Sequence, residues 1–124
     1  GTFQHPFYPY SGTAHPAFNM VNVPLGRGSD GEEFRRVVSD IWMPRLHEFK
    51  PEMILISAGF DAHYEDDMGG LKLLEKDYAW VTEQVQRVAG ESAQGRIVSM
   101  LEGGYALSAL ARSVVCHLRT LAGF

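Results

Sequence analysis

Two short apolar runs limit what this chain can fold into: Ile54-Leu55-Ile56-Ser57-Ala58-Gly59-Phe60-Asp61 and Ile97-Val98-Ser99-Met100-Leu101-Glu102-Gly103-Gly104-Tyr105. Each is aliphatic and partly β-branched, stops at small residues, and then presents one polar side chain. Such a run reads as a strand buried on both faces, as in a parallel sheet. The polar residue then falls just past the strand's carboxyl end, where open α/β sheets place their ligands and chemistry. Asp61 and Tyr105 are therefore expected at the tips of two strands lying side by side. A lone carboxylate and a lone phenol do not define a reaction, so the context has to come from the rest of the chain.

Residues 1–17 carry Pro6, Pro9 and Pro16 among Phe3, Phe7, Tyr8 and Tyr10 and read as an irregular aromatic loop, since proline restricts itself and the residue before it. Residues 18–124 read as β-α-β-α-β-α. The loose alternation from Phe18 to Val23 predicts a first strand that ends at Pro24. Ser29 and Glu32 have capping-box spacing and open a helix whose Phe34, Val37, Val38, Ile41, Trp42 and Leu46 share one face. Pro44 is expected to kink that helix. A strand over residues 53–59 and a polar loop over 62–70 follow. The next helix starts near Lys76, with Tyr78, Val81, Val85 and Val88 facing inward. A turn over 90–95 leads to a strand over 96–101. The last helix carries Leu107, Leu110, Val114, Val115, Leu118 and Leu121 and closes at Gly123. This order calls for a parallel sheet with right-handed crossovers. Three strands would leave two edges and little cover, so the chain is expected to be one piece of a larger sheet.

The 124 residues suffice for one modest domain, and 45% hydrophobic with 21% charged residues is ordinary globular composition. A net charge of −4 provides no general basic footprint, so no nucleic-acid partner is expected. No apolar run approaches the roughly 20 residues that span a bilayer, so no membrane association is expected either. The single cysteine, Cys116, excludes an internal disulfide framework and suits a reducing compartment. With no secretory signal visible, the expected location is cytoplasmic.

Several motifs compete for the chemistry. Gly26-Arg27-Gly28-Ser29-Asp30-Gly31 matches G-x-G-x-x-G between a strand and a helix, the context of a dinucleotide fingerprint. Asp30, Glu32 and Glu33 at the helix start would repel a pyrophosphate, and turn-forming is the plainer role for these glycines. His5, His15, His47, His63 and His117 are scattered, with no helical i,i+4 pair. Asp61 and His63 form a D-x-H pair that would share a metal if the loop were extended. Local hydrogen bonding is the plainer reading of His63. Glu65-Asp66-Asp67 reads as a solvated face, and Cys116 as a small buried hydrophobe. Gly103 and Gly104 allow a close backbone approach or a positive φ before Tyr105. A phenol there can donate to a developing oxyanion, and a strand-tip carboxylate can ligate a metal.

The run Ser57-Ala58-Gly59-Phe60-Asp61-Ala62-His63, then Asp67-Met68-Gly69-Gly70, then Leu101-Glu102-Gly103-Gly104-Tyr105 resembles the zinc-dependent histone deacetylase family. The likeness is to its bacterial and class II-like members, among them acetoin-utilisation and acetylpolyamine amidohydrolase relatives. Phe7-Tyr8-Pro9-Tyr10-Ser11-Gly12 resembles the family's aromatic loop, which usually ends in Pro-Gly-Thr-Gly. Phe18-Asn19-Met20-Val21-Asn22-Val23-Pro24-Leu25 resembles the strand after it. The motifs occur in the family's order from end to end of the chain. The resemblance implies the arginase/deacetylase fold, a three-layer α/β parallel sheet with its metal site at the carboxyl ends of the strands. It implies Asp61 as one of three zinc ligands and Tyr105 as the catalytic residue that helps zinc polarise the acetamide carbonyl. Gly103 and Gly104 would wall the acyl-lysine channel. His63 matches no ligand of the family.

The same resemblance marks what these residues lack. The family's other two zinc ligands come from an upstream Asp-x-His motif, and its proton-transferring His-His pair lies further upstream. Neither is present here, and Phe3 stands where a Ser-x-His segment usually has histidine. The chain is therefore expected to be the C-terminal part of a zinc-dependent amidohydrolase that removes acetyl groups from acetyl-lysine or acetylated amines. By itself it is expected to be inactive and to hold zinc weakly or not at all. The competing expectation is a non-catalytic module that self-associates as a homo-oligomer.

Overall fold

The computed structural model describes residues 1–14 and 17–124; His15 and Pro16, which the sequence reading counts among the scattered histidines and the loop prolines, lie outside the described residues. Among the described residues, four short strands form two parallel pairs. β1 (Thr2–Gln4) pairs with β2 (Val23–Leu25), and β3 (Ile54–Ala58) pairs with β4 (Ile97–Leu101). The helices are α1 (Gly31–Val37), α2 (Met43–Phe49), α3 (Glu75–Ser92) and α4 (Leu107–Leu121), with a π-helical turn over Val38–Trp42 joining α1 to α2.

Three boundaries depart from the sequence reading. The expected aromatic loop contains β1, whose pairing to β2 comes from long-range backbone contacts that a local pattern does not report. The first expected strand shifts C-terminally, to Val23–Leu25, and takes Pro24 inside it. That is tolerable because Val23 donates its N–H to Gly1 and Leu25 accepts from His5, so the alternation of a parallel ladder points Pro24 to the free edge. The helix cap moves from Ser29 to Asp30, whose Oδ1 accepts from the N–H groups of Glu32 at 3.0 Å and Glu33 at 3.1 Å. Asp30 has extended backbone, which is the Ncap geometry. The kink expected at Pro44 takes the form of the wide turn just before it. Met43 donates to the carbonyl of Val38, five residues back, and Pro44 opens α2 where it has no N–H to lose.

The core gathers Leu25, Phe34, Val37, Val38, Phe60, Leu71, Leu73 and Tyr78 between the sheets and helices. β3 and β4 are covered on one face only. Ile54, Ile56 and Ala58 are half-buried, whereas Leu55 is 65% exposed and Val98, Met100 and Leu101 are also exposed. The expectation of strands buried on both faces therefore fails here, because nothing among the described residues packs on the second face. α4 shows the same asymmetry. Ala109, Ser113 and His117 are its buried residues, while Leu107, Val115 and Leu118 of the expected apolar face are exposed. α4 ends in a Schellman motif: Gly123, at φ +79°, donates to Thr120 and Phe124 donates to Arg119.

The loop over 59–74 is fastened to both sheets. Gly28 donates to Gly70, Lys72 donates to Ser29, and Gly70 donates to the Gln4 side chain at 2.6 Å. In the Gly26–Gly31 turn the N–H of Gly28 is thus spent on Gly70 and that of Ser29 on Gly26, and at the helix start the N–H groups of Glu32 and Glu33, which a pyrophosphate would use, are taken by the Asp30 carboxylate. Gly31 also packs directly on the carboxylate of Asp77, where a Cβ has no room. Asp77 is fully buried, pairs with Arg35 and accepts from the N–H of Leu74 at 2.9 Å, which starts α3. Replacing Asp77 by Ala strands the Arg35 guanidinium and uncaps α3, and is expected to cost about 3 kcal/mol of stability, measured as the shift in urea midpoint.

Candidate active site

The parallel register of β3 and β4 continues past the strands. Glu102 donates to Ala58 at 3.0 Å and Phe60 donates to Gly103 at 2.7 Å. The two tips therefore stay side by side, which sets Asp61 next to Gly103. A Cβ built on Gly103 would lie 2.6 Å from Asp61 Oδ2, and one on Gly59 would lie 3.0 Å from Oδ1. A Cβ on Gly69 would lie 2.8 Å from the Asp61 carbonyl oxygen. Three glycines thus form a niche for Asp61 that any side chain would fill. Gly104 has a different reason to be glycine: its φ is +142°, and a Cβ would strike Leu110 Cδ1 at 2.7 Å.

Asp61, Gly103 and Tyr105 line one cavity of about 890 Å³ that also reaches β1 at Phe3 and Gln4. Gly104 faces Leu110 and is not part of that lining. Asp61 is half-buried, and burial is the main cause of a carboxyl pKa raised above the ordinary range, with Asp66 adding to it. A cation beside Asp61 would offset that cost. Phe3, in the position where the resemblance has histidine, lays its ring against Gly12 and supplies packing but no donor.

Behind the tips lies a polar network that sequence periodicity did not reveal. Tyr78 of α3 donates its hydroxyl to the Phe60 carbonyl at 3.1 Å, directly before Asp61. Burial, with the nearby Asp61 and Asp66 carboxylates, pushes the Tyr78 phenol pKa up, so it stays a donor. Thr82 donates to the Tyr78 carbonyl at 2.6 Å and lies 2.7 Å from His117 Nδ1. Because the single Thr82 proton is committed to that carbonyl, His117 donates from Nδ1, and its Nε2, 2.9 Å away, accepts from Ser99. Burial lowers the His117 pKa, in keeping with this neutral form.

The D-x-H pair does not converge on a metal. The loop turns after Asp61 instead of extending, and His63 is buried with Nδ1 accepting from the N–H of Glu65 at 3.1 Å. Its Nε2 sits 3.5 Å from Glu75 Oε1, a contact without hydrogen-bond geometry. Arg112 of α4 spans Glu75 at 2.5 Å and Glu65 at 2.6 Å, and this guanidinium contact is the main reason the Glu75 carboxyl falls to about 2. The acidic run is not a uniform solvated face: Asp66 is 4% exposed, while Glu65 and Asp67 stay at the surface.

A structural zinc site takes four protein ligands and a catalytic one three. Among the described residues, no three His, Cys, Asp or Glu side chains group to hold a metal. Asp61 offers one oxygen donor in a shaped niche, and the residues present do not make a zinc site by themselves.

The sequence profile of the histone deacetylase domain matches residues 2–121. The chain belongs to the histone deacetylase family. A type-2 histone deacetylase 1 of Dictyostelium discoideum is 45% identical over 103 residues, covering 83% of this chain and 7% of that protein. A probable deacetylase of Archaeoglobus fulgidus is 35% identical over 130 residues, covering 99% of this chain and 36% of that one. The solved HD domain of HDA15 superposes with a TM-score of 0.82 at 24% identity, covering 98% of this chain and 36% of that domain, which shows the arginase/deacetylase fold. This histone deacetylase-family chain therefore spans little more than a third of the archaeal relative and far less of the Dictyostelium one. No described helix is long and apolar enough to cross a membrane.

Two outcomes are expected. Gly103→Ala drives a methyl group into the Asp61 carboxylate and should destabilise the fold by about 1–3 kcal/mol, seen as a lowered urea midpoint. The pH dependence has two windows. His117 is held below its ordinary 6.5, so the stability it contributes is complete above that value and is lost as pH falls through it. Glu75 falls from 4.5 to about 2, so its contribution is complete above 4.5 and is lost as pH falls toward 2. Melting temperature should therefore fall from pH 7 to 5, and His117→Gln should remove that slope.

Proposed function

We propose that this chain is the C-terminal part of a deacetylase domain that removes acetyl groups from acetyl-lysine or acetylated amines. The observation that supports the reading most directly is the meeting of Asp61 and Tyr105 at one cavity, on the tips of paired parallel strands. In this reading Asp61 is one oxygen ligand of a zinc site whose remaining ligands lie outside these 124 residues. Tyr105 is the catalytic residue, whose phenol O–H donates to the carbonyl oxygen as negative charge develops on it. Gly103 keeps the wall beside Asp61 free of a side chain, and Gly104 turns the chain so that Tyr105 reaches the substrate channel. His117 also lines the cavity, but both of its ring nitrogens are engaged by Thr82 and Ser99 and it is not free to act as a general base for water, which fits a part that is inactive alone.

A second reading is a non-catalytic module that self-associates. It is supported by the exposed Leu55, Val98, Met100 and Leu101 of the sheet and Leu107 and Leu118 of α4. A dimer that survives dilution in sedimentation velocity favours this reading, and a monomer at all concentrations counts against it.

Hydrolysis of an acetyl-lysine reporter tests the first reading. The chain with added zinc should show no turnover above the reagent blank, and Tyr105→Phe should change nothing. Mixed with the preceding part of the Archaeoglobus fulgidus relative, the chain should gain turnover, which Tyr105→Phe then lowers by about 10²–10³-fold. Zinc-supported, Tyr105-dependent turnover by the chain alone would overturn the expectation of inactivity. Failure to gain turnover in the mixture would count against the deacetylase role.

A further inference from the structure

Asp66 is the one carboxylate of the acidic run that the fold buries, and its partners explain why. Oδ1 accepts from the N–H of Met68 at 3.0 Å, two residues ahead in its own loop. Oδ2 accepts from Tyr105 at 2.7 Å and from Ala106 at 3.1 Å, at the far end of β4. One side chain thus joins the loop that follows Asp61 to the backbone of Tyr105.

The Tyr105 tip has little else to hold it. The two glycines before it carry the greatest backbone freedom of any residue type, and Gly104 sits at φ +142°. Tyr105 is 58% exposed, so packing fixes it weakly. Ala106 is also the Ncap residue of α4 and its side chain accepts no capping hydrogen bond, so a carboxylate beside its N–H adds favourable charge at the start of a 15-residue helix. Burial alone would raise the Asp66 pKa, but the three N–H donors, with His63 nearby, outweigh it and hold the carboxyl below its ordinary value. The charged form is therefore the one the site is built around, and hydrogen bonds to a charged acceptor are about twice as strong as neutral ones.

We infer that Asp66 is a positioning residue for Tyr105. Its carboxylate locks the Gly103-Gly104-Tyr105 tip onto the loop that carries Asp61, and so sets the spacing at which the phenol and Asp61 face the cavity. The inference rests on the reading of Tyr105 given above for its catalytic meaning, though not for its geometry. An asparagine at this position would keep one oxygen for Tyr105 and Ala106. Its NH₂ group would then face the N–H of Met68, donor against donor.

Amide hydrogen exchange by NMR on the 124-residue chain separates this role from a general one. In Asp66→Ala, the amides of Tyr105 and Ala106 should exchange about tenfold faster or more, as expected for the loss of a charged acceptor. The amides of Ile56 and Met100 in the β3–β4 ladder should stay within about twofold of the parent chain under the same local-opening analysis. Asp66→Asn should restore protection at Tyr105 and Ala106 but not at Met68. Unchanged exchange at Tyr105 and Ala106 in Asp66→Ala would overturn the inference. So would an equal loss of protection across β3 and β4 in both variants, which would make Asp66 a residue of the fold at large. Neither result depends on turnover, so the deacetylase reading and the positioning role stand or fall separately.

Discussion

The site depends on one backbone contact, the hydrogen bond from Phe60 to Gly103 that carries the parallel pairing beyond β3 and β4. Parallel strands hold register through evenly spaced, slanted bonds, so extending the ladder by this contact fixes which residues meet at the tips. Asp61 meets Gly103, and the carboxylate then takes the space that the absent Cβ leaves. The pairing also sends the chain past Gly104 toward α4, where Tyr105 comes within reach of Asp66. Without that contact, Asp61 and Tyr105 would be joined only through Asp66, whose carboxylate ties the loop after Asp61 to the Tyr105 and Ala106 N–H groups.

Support for the tips comes from buried polar groups rather than from apolar packing alone. Tyr78 holds the Phe60 carbonyl, and a chain of hydrogen bonds from Ser99 through His117 and Thr82 leads to the Tyr78 carbonyl. These bonds join α3, β4 and α4, three consecutive elements, through residues 18 and 35 positions apart. Aromatic contacts reinforce them: the Phe60 ring lies 5.1 Å from Tyr78 and 5.9 Å from His117, in tilted and edge-on arrangements. A buried network with its partners satisfied favours one arrangement over its neighbours, because every slipped register leaves a donor or acceptor unpaired. Asp77, one residue before Tyr78 in the first turn of α3, does comparable work by pairing with Arg35 and accepting from the N–H of Leu74.

The strands and helices that carry the site were legible because their signals are local. Apolar runs ending at Gly59 and Gly103 announced β3 and β4, and the 3.6-residue period announced α3 and α4. The resemblance singled out Asp61, Gly103, Gly104 and Tyr105, and the fold brings Asp61, Gly103 and Tyr105 to one cavity while Gly104 packs against Leu110. Asp66 and His117 were not legible. The first looks like any member of an acidic run until Tyr105 and Ala106, 39 and 40 residues away, are seen to donate to it. The second sits in a helix face that periodicity assigns to leucines and valines, yet Ala109, Ser113 and His117 are its buried residues, with Leu110 and Val114 only partly buried beside them. β1 escaped for the same reason, since a three-residue strand among prolines exists only through its partner. Ser29 and Asp30 both suit a cap, and only the backbone conformation at Asp30 decides between them.

The two sides of the β3–β4 sheet are finished to different degrees, and the difference locates what this chain determines for itself. On the helix side the polar groups Tyr78, Thr82, Ser99 and His117 find partners within the chain, and the strand tips are held from behind. On the other side Leu55, Val98 and Met100 face outward, though a partly covered parallel sheet is a rare arrangement because both of its faces are ordinarily apolar. Apolar surface of that kind is costly to leave in water, at about 25 cal/mol per Å², and it can be covered in many geometries because the hydrophobic effect is non-directional. The hydrogen-bonded side allows no such latitude. The spacing of Asp61 and Tyr105 is therefore a property of these 124 residues, and whatever covers the open face has to accept that spacing as it finds it.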